Sequence, residues 1–213
     1  MQLRQVFTRE SADTRRDALI AATARCLSTR GAQGTSVRAI SVEAGVSAGL
    51  LRHYFDGIDA LVAETYRATG ARVAAALHAA VDAVPTDNPR GRLLAFVTAS
   101  FRAPIADPEL LATWLAFWSL SRTVPAIGAI HDEIYAENRQ DIERLICACP
   151  NAPQDARLAA VALTALVDGL WLELSLGNAP FSVGEAEALA EKWMDDFIRA
   201  GKCACHKAAT AID

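Results

Sequence analysis

The chain has 213 residues, 52% hydrophobic and 22% charged, which is enough to bury a core in one large domain or two small ones and excludes a disordered or fibrous chain. Its net charge of −4 is unevenly spread: residues 1–52 hold eight Arg against four acids, and residues 53–213 hold thirteen basic against twenty-one acidic groups. A +4 segment on a −8 body implies a module that faces phosphate, joined to something else.

In chain order the pattern predicts an all-α protein of about nine helices. Ile20, Ala24 and Leu27 recur at helical spacing between Ser11 and Arg30, and Gly31 is the expected stop. Thr35 or Ser36 offers an N-cap for a short helix carrying Val37 and Ile40, which ends near Gly45. Ser47 caps another short helix, with Leu50, Leu51, Tyr54 and Phe55. Asp56 is the expected cap of a long helix from about 57 to 84, closed by Pro85. Asp107-Pro108 is an N-cap followed by Pro at N1, opening a helix with Leu111, Trp114, Leu115 and Trp118. Pro125 opens the next, to about Ala148. Residues 154–176 are almost wholly apolar save Asp168 and Glu173. An amphipathic last helix spans 183–200, with the tail after Gly201 expected to fray.

No continuous apolar run marks a signal peptide, and no stretch of about 18 apolar residues is free of charge, so no membrane partner is expected. Five Cys is an odd number, and Cys147/Cys149 and Cys203/Cys205 are each one residue apart. Reduced thiols in a cytoplasm fit that spacing.

Residues 36–55, SVRAISVEAGVSAGLLRHYF, have the layout of a helix-turn-helix. A short helix ends at a Gly able to take positive φ, a Val plugs the interhelical angle, and a Ser caps the second helix. Val37, Ile40, Val46 and Leu51 form its small core. The other side chains of the second helix point outward, where they can reach base edges while the helix start meets phosphate. The same turn also fits a plain αα-hairpin.

The run from Arg16 to Leu61 resembles the N-terminal domain of TetR-type transcriptional regulators, through AGVSAG, HYF and the Leu six residues beyond it. WLAFW at 114–118 and LVDGLWLELSL at 166–176 resemble the C-terminal domain of that family's BetI-like, choline-responsive repressor subgroup. The likeness covers about residues 12–200. It implies a DNA-binding domain over 12–72 and a ligand-binding and dimerisation domain over 73–213. The partners it implies are double-stranded operator DNA, a second copy of the chain, and a small-molecule effector such as choline or another cationic amine. Carried over position by position, Ser36, Arg38, Ser47, Ala48, Gly49, Leu50, Arg52, His53 and Tyr54 face DNA, Arg suiting guanine or phosphate and Tyr and His suiting phosphate. One departure stands out: the family's phosphate-gripping Lys is replaced by Ile58, which removes a salt-dependent contact from each protomer.

Trp114, Phe117, Trp118, Tyr135, Trp171 and Glu173 are the candidate effector residues, with Asp168 nearby. Stacked indoles beside a carboxylate suit a quaternary ammonium, which attracts π faces and accepts no hydrogen bond. The same spacing also fits core packing. Residues 158–176 are apolar on nearly every face, which suits cover by another chain, and the family resemblance implies a dimer through the last two helices, with Leu163, Leu166, Leu170, Leu174, Leu189, Trp193 and Phe197 as its contacts.

Enzyme chemistry is not expected. Ser119, Ser121, His131 and Asp132 lack an elbow motif or oxyanion donors, and no glycine-rich phosphate loop follows a strand. Cys203, Cys205 and His206 are three crowded ligands in a tail, so neither metal nor cofactor is expected. The competing reading is a helical small-molecule-binding protein with a degenerate DNA-binding domain, which Ile58 favours.

Overall fold

The structure, a computed structural model, describes the backbone of residues 12–209 and the side chains of residues 12–198. Among the described residues there are nine α-helices and no strand: α1 (Ala12–Gly34), α2 (Val37–Glu43), α3 (Ala48–Tyr54), α4 (Gly57–Asp82), α5 (Pro89–Ala99), α6 (Pro108–Ser121), α7 (Pro125–Ala148), α8 (Ala156–Ser175) and α9 (Val183–Ala209).

Local chemistry accounts for most boundaries. Ser36, Ser47, Asn88, Asp107 and Asp155 each accept a backbone N–H of the first turn that follows, satisfying donors the helix leaves open. Pro sits at the first turn of α5, α6 and α7, where its missing N–H costs nothing. Gly31 has φ +65 and breaks α1, after which one more turn runs to Gly34. Asp56 stands at the N-cap position of α4, but its side chain accepts no capping bond, so that expectation fails. Helix α5 was not placed from the sequence, and α9 runs beyond the expected end near 200.

Two cores form. The small one gathers Leu19, Ala22 and Cys26 of α1 with Ile40, Leu51, Phe55 and Leu61. The large one is built from α4 to α9, with Tyr66, Phe96, Phe101, Phe117 and Trp114 among its bulkiest members. Helix α4 runs unbroken through the expected boundary at 72/73, placing Leu61 in the small core and Val62 and Tyr66 in the large one. Helix α1 packs along α6, where the Thr113 hydroxyl donates to the Ala24 carbonyl at 3.2 Å.

Helix α9 is tied to the preceding helices by arginines. Arg90 donates to Asp195 and Glu191 at 2.7–2.8 Å, and Arg102 forks onto Glu187 at 2.6 and 2.8 Å. Helix α8 is long and apolar enough to cross a bilayer by length and composition, yet it carries Asp168 and buries Leu163, Leu170 and Trp171 against the large core. The side chains of Cys203, Cys205 and His206 lie outside the described residues.

Candidate DNA-binding face and ligand cavity

Helices α2 and α3, seven residues each, meet across Ala44–Ser47. Gly45 takes φ +66, and the Val46 N–H donates to the Ser41 carbonyl at 2.9 Å, closing the turn. Ile40 and Leu51 are fully buried, with Val37 and Val46 packed against them. That leaves Ser36, Arg38, Ser47, Ala48, Gly49, Arg52 and His53 exposed, while Leu50 and Tyr54 are half-buried.

The arginines of the basic segment divide into two groups. Arg16 donates to Glu64 at 3.0 Å with its guanidinium over the Phe55 ring, and Arg25 donates to Glu43 at 2.7 Å. These hold the domain together. Arg38 and Arg52 are exposed and make no ion pair with the described residues, so both guanidinium forks are open to an external anion or base edge. Ile58 is half-buried, touches both cores, and lines a small cavity of about 130 Å³ with Leu27, Val62, Leu120 and Ile127. In this chain that position is an apolar joint between the two parts.

A larger cavity of about 400 Å³ opens between α4 and α7 and reaches inward to α8. Trp114, Tyr135 and Trp171 form part of its wall. Trp171 meets Trp114 and Trp118 edge-on, both at 6.3 Å between ring centres. Phe117 and Trp118 are not on the wall. Phe117 is fully buried and stacked on Tyr66 at 4.1 Å, and Trp118 donates its indole N–H to the Tyr135 hydroxyl at 3.0 Å. Both therefore support the wall from behind.

Glu173 is exposed on the outer side of α8, whereas Asp168 is on the wall. Helical geometry explains the exchange: residues three apart share a face, and residues two apart do not. Asp168 precedes Trp171 by three positions and Glu173 follows it by two. Burial pushes the Asp168 carboxyl up to about 6, opposed by a hydrogen bond from the Tyr135 hydroxyl and by the charge of Arg139. The Trp171 residue is 7% exposed, and its indole N–H has no acceptor among the described residues.

His131 is half-buried behind the wall, its Nδ1 3.0 Å from the Tyr66 hydroxyl, and burial lowers its pKa. At the mouth, Arg67 of α4 faces Glu133 of α7 at 3.9 Å, and His78 of α4 contacts Asp141 of α7 at 2.8 Å.

The four α8 residues expected at the dimer contact share one face of that helix, and it is turned toward the protomer's own core. Leu163 and Leu170 are buried inside the protomer, because they belong to the stripe of α8 that packs on the large core. Leu166, Leu174, Trp193 and Phe197 are half-buried against the same core, and Leu189 is exposed. The outward stripe of α8 is instead Leu158, Val161, Ala162, Ala165 and Leu176, with Leu158 51% and Leu176 63% exposed.

An exposed helix-turn-helix with two unpaired arginines, joined by one continuous helix to a domain with an aromatic cavity, defines a ligand-domain transcriptional regulator. Residues 19–65 match the bacterial regulatory proteins of the tetR family, and residues 89–199 match the family described as BetI-type transcriptional repressor, C-terminal. The HTH-type transcriptional regulator BetI of Burkholderia thailandensis is 35% identical over 185 residues, 86% of this chain and 93% of that relative. A crystal structure from Pseudomonas aeruginosa PAO1, described as a transcriptional regulator, is 43% identical with a TM-score of 0.84, covering 93% of this chain and 97% of that one. A regulator from Saccharomonospora viridis, solved in complex with choline, shares the fold at a TM-score of 0.74 and 22% identity, covering 88% of this chain and 96% of that one. The chain belongs to the TetR family of transcriptional regulators, with a BetI-type C-terminal domain. These families are repressors rather than enzymes, and their members bind operator DNA, usually as dimers.

Proposed function

We propose that this protein is a repressor acting in the cytoplasm as a homodimer on a palindromic operator, released by a cationic amine of the choline class. Arg38 and Arg52, with Ser36, Ser47, Ala48, Gly49, Leu50, His53 and Tyr54 around them, contact the major groove and its phosphates. A two-fold axis through the outward stripe of α8 and through α9 sets the spacing of the two α3 helices.

The observation that carries the effector assignment is the deep end of the cavity. Trp114, Tyr135 and Trp171 surround the carboxylate of Asp168. Aromatic faces and a carboxylate attract an onium group. Because α4 forms both the cavity wall and part of the small core, a ligand that favours one position of α4 also favours one spacing of the recognition helices.

The experiment is fluorescence anisotropy at low salt with the palindrome nearest the protein's own gene. Binding preferred over random duplex and reversed by choline supports the proposal. Equal affinity for both duplexes favours the competing reading of a ligand-binding protein with a degenerate DNA-binding domain.

A further inference from the structure

The cavity carries more negative charge than a single onium head neutralises. Besides Tyr135, its titratable wall residues are Arg67, His78, Glu133, Glu137, Asp141 and Asp168. Two of the four carboxylates are already partnered across the mouth, Glu133 by Arg67 and Asp141 by His78 and Arg144. The other two stand without an ion pair. Asp168 is at the deep end and is bonded only by the Tyr135 hydroxyl, with Arg139 acting on it at longer range. Glu137 is exposed at the mouth, one turn of α7 from each partnered acid, and has no partner among the described residues.

These two carboxylates sit on different helices, Asp168 on α8 and Glu137 on α7. The intervening wall is apolar, with Val73, Leu77, Ile134 and Val167. The volume of about 400 Å³ is that of a site for a ligand well above the size of choline.

We infer that the cavity is shaped for an elongated dication, one cationic head held among Trp114, Trp171 and Asp168, an apolar spacer along α7, and a second cationic group at Glu137. This rests on the effector reading above and extends it from a compact monocation to a two-ended ligand. A single head leaves Glu137 facing water, and a longer monocation gains only the apolar contact of its chain. The second charge alone distinguishes the dication.

The test uses the full-length protein, with calorimetry against three probes: choline, hexyltrimethylammonium and hexamethonium, which has the same spacer with a second quaternary nitrogen. Hexamethonium is expected to bind about two- to fivefold more tightly than hexyltrimethylammonium, the gain of one added ion pair at a partly exposed site. Glu137→Gln is expected to bring that ratio to about one. Asp132→Asn, which removes an acid of α7 outside the wall, is expected to keep it. Equal affinity of the two alkyl probes for the wild-type protein, or a ratio that survives Glu137→Gln, overturns the inference while choline binding still upholds the effector reading. Failure of all three probes to bind overturns both.

Discussion

The indole N–H of Trp118 donates to the hydroxyl of Tyr135 at 3.0 Å, and that hydroxyl is the group that favours the ionised carboxylate of Asp168. A tryptophan that never reaches the cavity thus orients the group that points a proton at the cavity's deep charge. Replacing Tyr135 with Phe removes the only hydrogen bond that favours the ionised form of Asp168. Cation affinity at pH 7 is expected to fall by about 1–2 kcal/mol, with the pH midpoint of binding moved upward. Calorimetry across pH checks both, and an unshifted midpoint contradicts the relay.

Effector binding should depend on pH through Asp168. The ionised carboxylate attracts a cation, so affinity is expected to be steady above pH 7 and to decline as pH falls through about 6. Folding has the opposite sign. The unfolded chain releases this proton near 3.8 and the folded chain near 6, so the folded state holds more protons in between and loses stability as pH rises across that interval. Asp168→Asn is expected to gain roughly 1–3 kcal/mol of stability at pH 7 and to lose cation binding. Comparison with wild type separates this from the titration of His131. A variant that is less stable at pH 7 and still binds would remove Asp168 from the site.

Arg38 and Arg52 differ from Arg16 and Arg25 in having no carboxylate of their own among the described residues. Replacing either unpaired residue with Ala is expected to leave the melting temperature in place. If it grips phosphate, affinity for all duplexes drops and the salt slope falls by about one; if it reads a base, the loss is about 1–3 kcal/mol at the operator alone. Arg16→Ala is the contrast, because it removes the contacts with Glu64 and Phe55 and should lower the melting temperature.

Ile58→Lys restores the residue that the family resemblance leads one to expect, but in this chain it puts an ammonium beside Leu27, Val62 and Ile127. The expected result is a steeper salt dependence of operator binding, from one added cation per protomer, with a loss of stability of about 1–2 kcal/mol. The lysine stem can extend toward solvent, which keeps the penalty moderate. Chemical denaturation and binding at two salt concentrations read the two effects separately. A variant as stable as wild type would show that the joint does not depend on an apolar side chain.

Val161→Arg places a charge in the exposed stripe of α8 and is expected to convert a dimer to a monomer in analytical ultracentrifugation. Operator affinity should fall with it, because one recognition helix then binds alone. Leu163→Ala is expected to behave differently. It empties a fully buried site and should cost about 2–5 kcal/mol of stability.

The all-helical architecture and the turn at Gly45 were legible because capping residues and apolar spacing are local signals. Helix α5 was missed although Asn88-Pro89 is the same N-cap-plus-Pro signal as Asp107-Pro108. The helix after it is short, and its apolar residues run unbroken from Leu93 to Val97, so the buried face of Leu93, Phe96 and Val97 does not stand out as a period. Within the cavity, Trp114, Tyr135 and Trp171 were read as candidates from their type. The choice of Glu173 over Asp168 was decidable from spacing alone, since only Asp168 shares the face of Trp171. Nothing in the sequence separates Leu163 and Leu170 from the outward residues of α8. A helix apolar on every face has no polar side to orient it, so its packing direction is settled only by the rest of the fold.

Thr113 and Trp114 are consecutive residues of α6. One hydroxyl is bonded to the carbonyl of Ala24 in α1, and the next side chain is cavity wall. The cavity and the DNA-binding part are therefore joined a second time, through α1 against α6 as well as through α4. Two attachments make a parallelogram rather than a hinge. A displacement of the wall carries α1 sideways along with α4, so the small domain travels as a rigid piece instead of swinging about a single pivot.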